Sequence, residues 1–169
     1  MPGRQATEAG APPPRRSKIP ESVLVVIHTP DLQVLLLERA DHPGFWQSVT
    51  GSKDAPHESL LQTCRREVME ETGLDVAAYR LTDLQLANRF EIFAHWRHRY
   101  AEGVTHNLEN VFSLELPSAL PVVLSPREHL RFQWLPWDQA AARCFSWTNV
   151  KAIEEVARRR FGGSAPASV

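Results

Sequence analysis

The chain is poor in cysteine. Cys64 and Cys144 are its only two, and neither sits in a CxxC pair. Neither a disulfide framework nor a cysteine zinc site is therefore expected, and a reducing cytoplasmic setting is the simplest one. Long hydrophobic runs are missing as well. Nothing approaches the roughly 18 apolar residues that mark a membrane span, and Met1–Lys18 holds no hydrophobic stretch at all. Neither a membrane partner nor a signal peptide is expected. Charge of one sign is also absent, the formal net charge being −1. Nucleic acid is captured by clustered cations that neutralise phosphates, so no nucleic-acid partner is expected.

What remains is an ordinary globular composition. The 169 residues are 43% hydrophobic and 23% charged, enough for one domain that buries about two-thirds of its unfolded surface. Residues 1–17 carry Pro2, Pro12, Pro13 and Pro14 among Gly, Ala and Arg, and read as a flexible arm that cannot offset its ordering entropy. Residues 162–169 read as a tail, leaving 18–161 as the folded part. A monomer is the expected state.

Ser22–His28 and Gln33–Leu37 are β-branched or aliphatic runs separated by Pro30-Asp31, the pattern of a hairpin. Phe45–Thr50 reads as a short strand ending at Gly51. Ser59–Glu71 reads as a helix stopped by Gly73. Leu81–Asn88, Glu91–His95, Asn110–Leu116 and Leu130–Leu135 are further strand candidates, and Pro136–Arg143 and Asn149–Arg160 are helix candidates. Elements interspersed in this way predict one mixed sheet flanked by helices.

The helix after Ser59 carries the chemistry. Residues three and four apart share a helix face, so Leu61, Cys64 and Val68 form an apolar stripe toward the core. Glu67 and Glu71 lie beside that stripe, and Glu70 lies on the outer flank. Three carboxylates on one helix edge repel one another, and a hard divalent cation such as Mg²⁺ reverses that cost. The spacing extends further: Glu58, seven residues, Arg66-Glu67, Val68, Met69, Glu70-Glu71, one residue, Gly73, then Leu74.

Gly51–Leu74 resembles the Nudix box, a loop–helix–loop whose glutamates bind the metals that activate water against a diphosphate link. The box has five residues between its first glycine and first glutamate, whereas Ser52–His57 makes six. The extra residue is assigned to the loop around Lys53–His57, where insertions cost little. The resemblance implies an α/β/α sandwich with a mixed β-sheet, and a pyrophosphohydrolase using Mg²⁺ or Mn²⁺. Its catalytic residues are then Arg66, Glu67, Glu70 and Glu71, with Glu67 and Glu71 on the metal and Arg66 orienting a carboxylate. Glu70 and Glu58 both remain candidates for the general base.

Outside the box, Phe45–Ser52, Phe90–Asn107, Ser125–Leu130 and Phe145–Asn149 are similar to the branch of the family that acts in folate biosynthesis. That branch releases pyrophosphate from 7,8-dihydroneopterin triphosphate. This likeness implies Glu128 as a third metal ligand. It also implies substrate contacts at Lys18, Arg39, Thr50, Phe90, Glu91, Ile92, Phe93 and Ser146. Lys18 and Arg39 would supply cations for phosphates, and Phe90 or Phe93 an aromatic face for the pterin. The alternative within the family is a nucleoside triphosphate pyrophosphohydrolase acting on dNTPs or damaged nucleotides. A nucleotide-sensing module and an RNA 5′-end pyrophosphohydrolase are weaker alternatives. Arg97, His98 and Arg99 read as local positive charge, while His95, His98 and His106 lack a tight metal-ligand spacing.

Overall fold

β1 (Glu21–His28) is apolar at successive positions, as a strand covered on both faces must be. Val23, Val25 and Ile27 enter one core, and Leu24 and Val26 enter the other. In the computed structural model, which describes residues 15–162, β1 organises the sheet. Residues 1–14 and 163–169, holding most of the expected arm and tail, lie outside the described residues. β2 (Gln33–Arg39) returns antiparallel after a turn closed by Leu32 N–H donating to the Thr29 carbonyl at 3.0 Å.

β1 pairs in parallel with β6 (His106–Glu115) along its whole length. Its other edge is divided. Ser22–Val25 pair antiparallel with β4 (Val49–Ser52), and only His28 meets β2, at Val34. The sheet therefore forks, with β4, β1, β6 and β5 (Arg80–Glu91) on one limb. On the other are β3 (Trp46–Gln47), β2 and β7 (His129–Pro136).

α1 (Leu60–Thr72) covers one face through Cys64 and Val68. α2 (Trp137–Arg143) and α3 (Trp147–Gly162) cover the other through Ala140, Ala152, Ile153 and Val156. The result is the expected α/β/α sandwich. No helix among the described residues is long and apolar enough to cross a membrane.

Three local expectations are corrected. Phe45–Thr50 is two strands, because the chain changes partner at Ser48, whose N–H donates to Asn149 Oδ1 at 2.8 Å. Glu91–His95 is not a strand. Pairing with β6 ends at Glu91↔His106, and the Phe93 carbonyl then opens a 3₁₀ helix over Ala94–Arg99. Leu61 is not in the core stripe and is 45% exposed. The stripe runs through Leu60, Cys64 and Val68, each four apart, and the sheet-facing side of α1 is rotated toward Thr63 and Glu67.

α1 begins with a reciprocal cap. Ser59 Oγ accepts from Gln62 N–H at 3.1 Å, and Gln62 Oε1 accepts from Ser59 N–H at 2.8 Å. It ends at Gly73, whose φ of 72° glycine adopts without a Cβ penalty. Ser59→Ala is expected to cost about 1 kcal/mol of stability, read as a lower urea midpoint at unchanged slope.

Candidate active site

The fork positions the acidic edge of α1 against β4. Arg66 is the hub of the constellation there. Its Nε and Nη2 donate to the two oxygens of Glu58 at 2.9 and 3.1 Å. Nη1 donates to Glu67 Oε1 at 2.7 Å, and Nη2 also donates to the Ser52 carbonyl at 2.9 Å. One planar fork thus joins the loop, the helix and β4. The longer loop does not displace Glu58. A turn in which Glu58 N–H donates to the Ala55 carbonyl absorbs the extra length, and Asp54 N–H donates to Glu58 Oε2 at 2.6 Å. Arg66 holds the Glu58 carboxyl down at about 2.

Glu67 and Glu71 are in the opposite state. Burial, then the neighbouring Glu71 charge, pushes Glu67 up to about 8, against the pull of Arg66. Burial, then Glu128, raises Glu71 well above the usual carboxylate range. His129 Nε2 lies 3.0 Å from Glu71 Oε1, and Glu71 Oε2 has no hydrogen-bond partner among the described residues. The imidazole of His129 is itself pushed down by burial. Gly51 makes room for this arrangement, because a Cβ there would lie 1.9 Å from Glu67 Cδ.

A divalent metal fits these residues on their chemistry. Two buried carboxylates carry more charge than their protein partners neutralise, one oxygen is orphaned, and the backbone opposite is bare. Glu128 stands exposed at the rim of the same cleft, which also takes in Lys18, Arg66, Glu67 and Glu70. Glu70 reaches Arg66 Nη1 at 3.6 Å and is half exposed. Among the described residues no three acidic or histidine side chains already converge at ligating spacing.

A cavity of about 440 Å³ adjoins this cleft, sharing Lys18, Thr50, Gly51 and Ser52 with it. It gathers the eight expected substrate contacts, Lys18, Arg39, Thr50, Phe90, Glu91, Ile92, Phe93 and Ser146. They are not equally available. Arg39 is bound bidentately by Asp41 at 2.8 and 2.7 Å, and lies 4.8 Å over the Trp96 ring. Asp41 is held at about 2 by that pairing. Glu91 pairs with Arg97, whose Nε donates to the Ile92 carbonyl at 3.1 Å, so Arg97 ties the 3₁₀ segment to β5. Ile92 is buried and Phe93 exposed. Ser146 Oγ accepts from Asn149 Nδ2 at 2.8 Å at the start of α3. Lys18 is anchored by its N–H to the Arg99 carbonyl at 2.8 Å, and its ammonium is pushed down by burial, then by Arg99.

Several cavity residues escaped the sequence reading, namely Trp96, Tyr100, Asn107 and Glu109, and His129 beside the helix escaped it too. Asn107 and Glu109 had a usable signal. They alternate with Leu108 at inward positions of β6, immediately before the core residue Val111. A polar residue at an inward strand position calls for a partner.

The chain belongs to the Nudix family: the NUDIX domain model matches residues 18–156. It is 50% identical over 141 residues to the dihydroneopterin triphosphate diphosphatase of Escherichia coli K12, covering 82% of this chain and 92% of that one. Identity to the Haemophilus influenzae protein of the same name is 41% over 138 residues, covering 80% and 85%. The solved structure of the E. coli dihydroneopterin triphosphate pyrophosphohydrolase superposes with a TM-score of 0.76 at 48% identity. That superposition covers 82% of this chain and 95% of that one.

Proposed function

We propose that this Nudix hydrolase cleaves 7,8-dihydroneopterin triphosphate to the monophosphate and pyrophosphate. The observation that carries the reading is the continuity of two spaces. An aromatic-walled cavity of ring size opens onto the acidic helix edge through the shared segment Thr50–Ser52. The half-identical E. coli enzyme, named for this reaction, supports the choice of ring.

Glu67, Glu71 and Glu128 would hold the divalent cation, which we assign as Mg²⁺, with Mn²⁺ able to replace it. When bound, such a cation lowers the pKa of water and neutralises charge on the phosphoryl oxygens. The chain's own contribution is positional. Arg66 fixes the Glu67 carboxylate against Gly51, and His129 fixes one oxygen of Glu71. Lys18, at the junction of the two spaces, supplies a cation for the phosphates. Phe90 and Phe93 offer faces for the pterin. Water's oxygen replaces one oxygen on the attacked phosphorus, the diphosphate P–O bond breaks, and pyrophosphate carries away the bonding pair. Glu58 is engaged on both oxygens, so between the two candidates for the base Glu70 is the freer group.

With Mg²⁺ present, kcat/KM measured by pyrophosphate release is expected to favour dihydroneopterin triphosphate over dATP by roughly tenfold or more. A tenfold preference in the other direction would replace this reading with the dNTP one.

A further inference from the structure

In the wall of the aromatic cavity lie two buried acceptor atoms with no hydrogen-bond partner among the described residues. Glu109 is 5% exposed, and its Oε1 has no partner. Asn107, two residues earlier on the same face of β6, is 3% exposed. Its Nδ2 donates to Ser22 Oγ at 2.7 Å, which leaves Oδ1 unpartnered. Both residues line the cavity beside Phe90, Phe145 and Trp147. Among the described residues no cation pairs with the carboxylate: Lys151, on the same side, donates instead to Asn88 Oδ1 at 3.3 Å. Burial pushes the Glu109 carboxyl up to about 7, opposed only by the Thr148 hydroxyl.

A buried acceptor left unmet is costly, so such a pair persists where a ligand supplies the donors. The shape of the demand is specific. The Glu109 carboxylate, with Oε1 free and lone pairs to spare beside the Thr148 hydroxyl, can meet two N–H donors side by side, and a neighbouring amide oxygen can take a third. A 2-amino-4-oxopyrimidine edge has that pattern, with a ring N–H next to an exocyclic amine. An adenine edge places an unprotonated ring nitrogen beside its amine, directing a lone pair at the carboxylate.

We propose that Glu109, assisted by Asn107, is the ring-selecting residue, accepting the paired N–H donors of the aminopyrimidinone edge of the substrate. This rests on the pterin triphosphate reading of the site. It adds the group that discriminates the ring, some way from the carboxylates of α1.

The test uses pterin and lumazine, two fluorescent rings that differ at position 2, where lumazine carries an oxygen in place of the amine. Wild-type protein is expected to bind pterin more tightly by roughly tenfold or more, since a site built for a donor rejects the analogue lacking it. In Glu109→Gln that ratio falls close to one. The same variant raises KM for dihydroneopterin triphosphate roughly tenfold while kcat stays within about threefold, the signature of lost ground-state binding. Equal affinity of the wild type for the two rings, or binding of neither, overturns the proposal without any variant. A variant that folds, by circular dichroism, and keeps the wild-type ratio overturns it equally. Wild-type pyrophosphate release from dihydroneopterin triphosphate is scored separately. Its absence beside a pterin preference sinks the substrate reading alone, and its presence beside equal affinities sinks the role of Glu109 alone.

Discussion

Glu67→Gln is expected to lower turnover by roughly a thousandfold, the equivalent of about 4 kcal/mol in the barrier. The amide keeps an oxygen for Arg66 Nη1, so the fold and the hub survive while the charge is lost. The same substitution is expected to make the metal-free protein more stable at alkaline pH. Glu67 lies at about 8 in the folded chain against an ordinary 4.5. Between those values the folded protein retains a proton that the unfolded chain has released. The contribution of Glu67 to the stability of the metal-free wild type therefore falls as pH rises from about 5 to about 8, and levels off above that. Glu71, raised by burial and Glu128, adds to the same slope. In Glu67→Gln the slope flattens, and at pH 8 the variant gains on the order of 1 kcal/mol over the metal-free wild type. Mg²⁺ should raise the wild-type Tm more at pH 8 than at pH 5.5, and have a much smaller effect on the variant. Thermal melts across pH, with and without Mg²⁺, read all three effects. Wild-type turnover in Glu67→Gln would remove the metal from this helix.

That helix was the most legible part of the chain, and the reason is geometric. Helical spacing turns a list of residues into a face, so the sequence alone sets Glu67 and Glu71 beside Cys64 and Val68. Leu61 is the exception, since a one-residue rotation of the stripe exchanges it for Leu60. The strands of the central sheet were equally visible as aliphatic runs, but their partners were not. Nothing local in Phe45–Ser52 tells that Trp46 pairs with β2 and Val49 with β1, because the fork is a property of the assembled sheet. The 3₁₀ turn after Phe93 was hidden by the alternation of Phe90, Ile92 and Ala94, which mimics a strand. The cavity was legible at Phe90 and Phe93 through resemblance, and illegible in its floor. Glu109 reads as one more strand carboxylate until Ser22, Asn88 and Thr148 are seen to enclose it.

Gly51→Ala is expected to reproduce most of the Glu67→Gln defect without touching a charged group, lowering turnover roughly a hundredfold or more. A Cβ at this position would stand 1.9 Å from Glu67 Cδ, 2.1 Å from Oε1 and 2.4 Å from Cγ. No side chain tolerates such contacts, so the Glu67 carboxylate must leave its place against β4. The backbone has no reason to refuse the alanine, since Gly51 lies in an extended strand paired with Val23, and its φ is not among the positive ones. Stability should therefore change by less than about 1 kcal/mol, because moving a buried carboxylate toward water recovers the solvation that burial removed. The decisive comparison is a double-mutant cycle with Glu67→Ala. If Gly51 matters only as the cradle for that carboxylate, adding Gly51→Ala to Glu67→Ala costs almost nothing further in kcat. Full additivity would mean that Gly51 acts on the substrate directly, through the strip of β4 shared by the two cavities. Wild-type turnover in the single variant would mean that the position of Glu67 against β4 does not matter to the reaction.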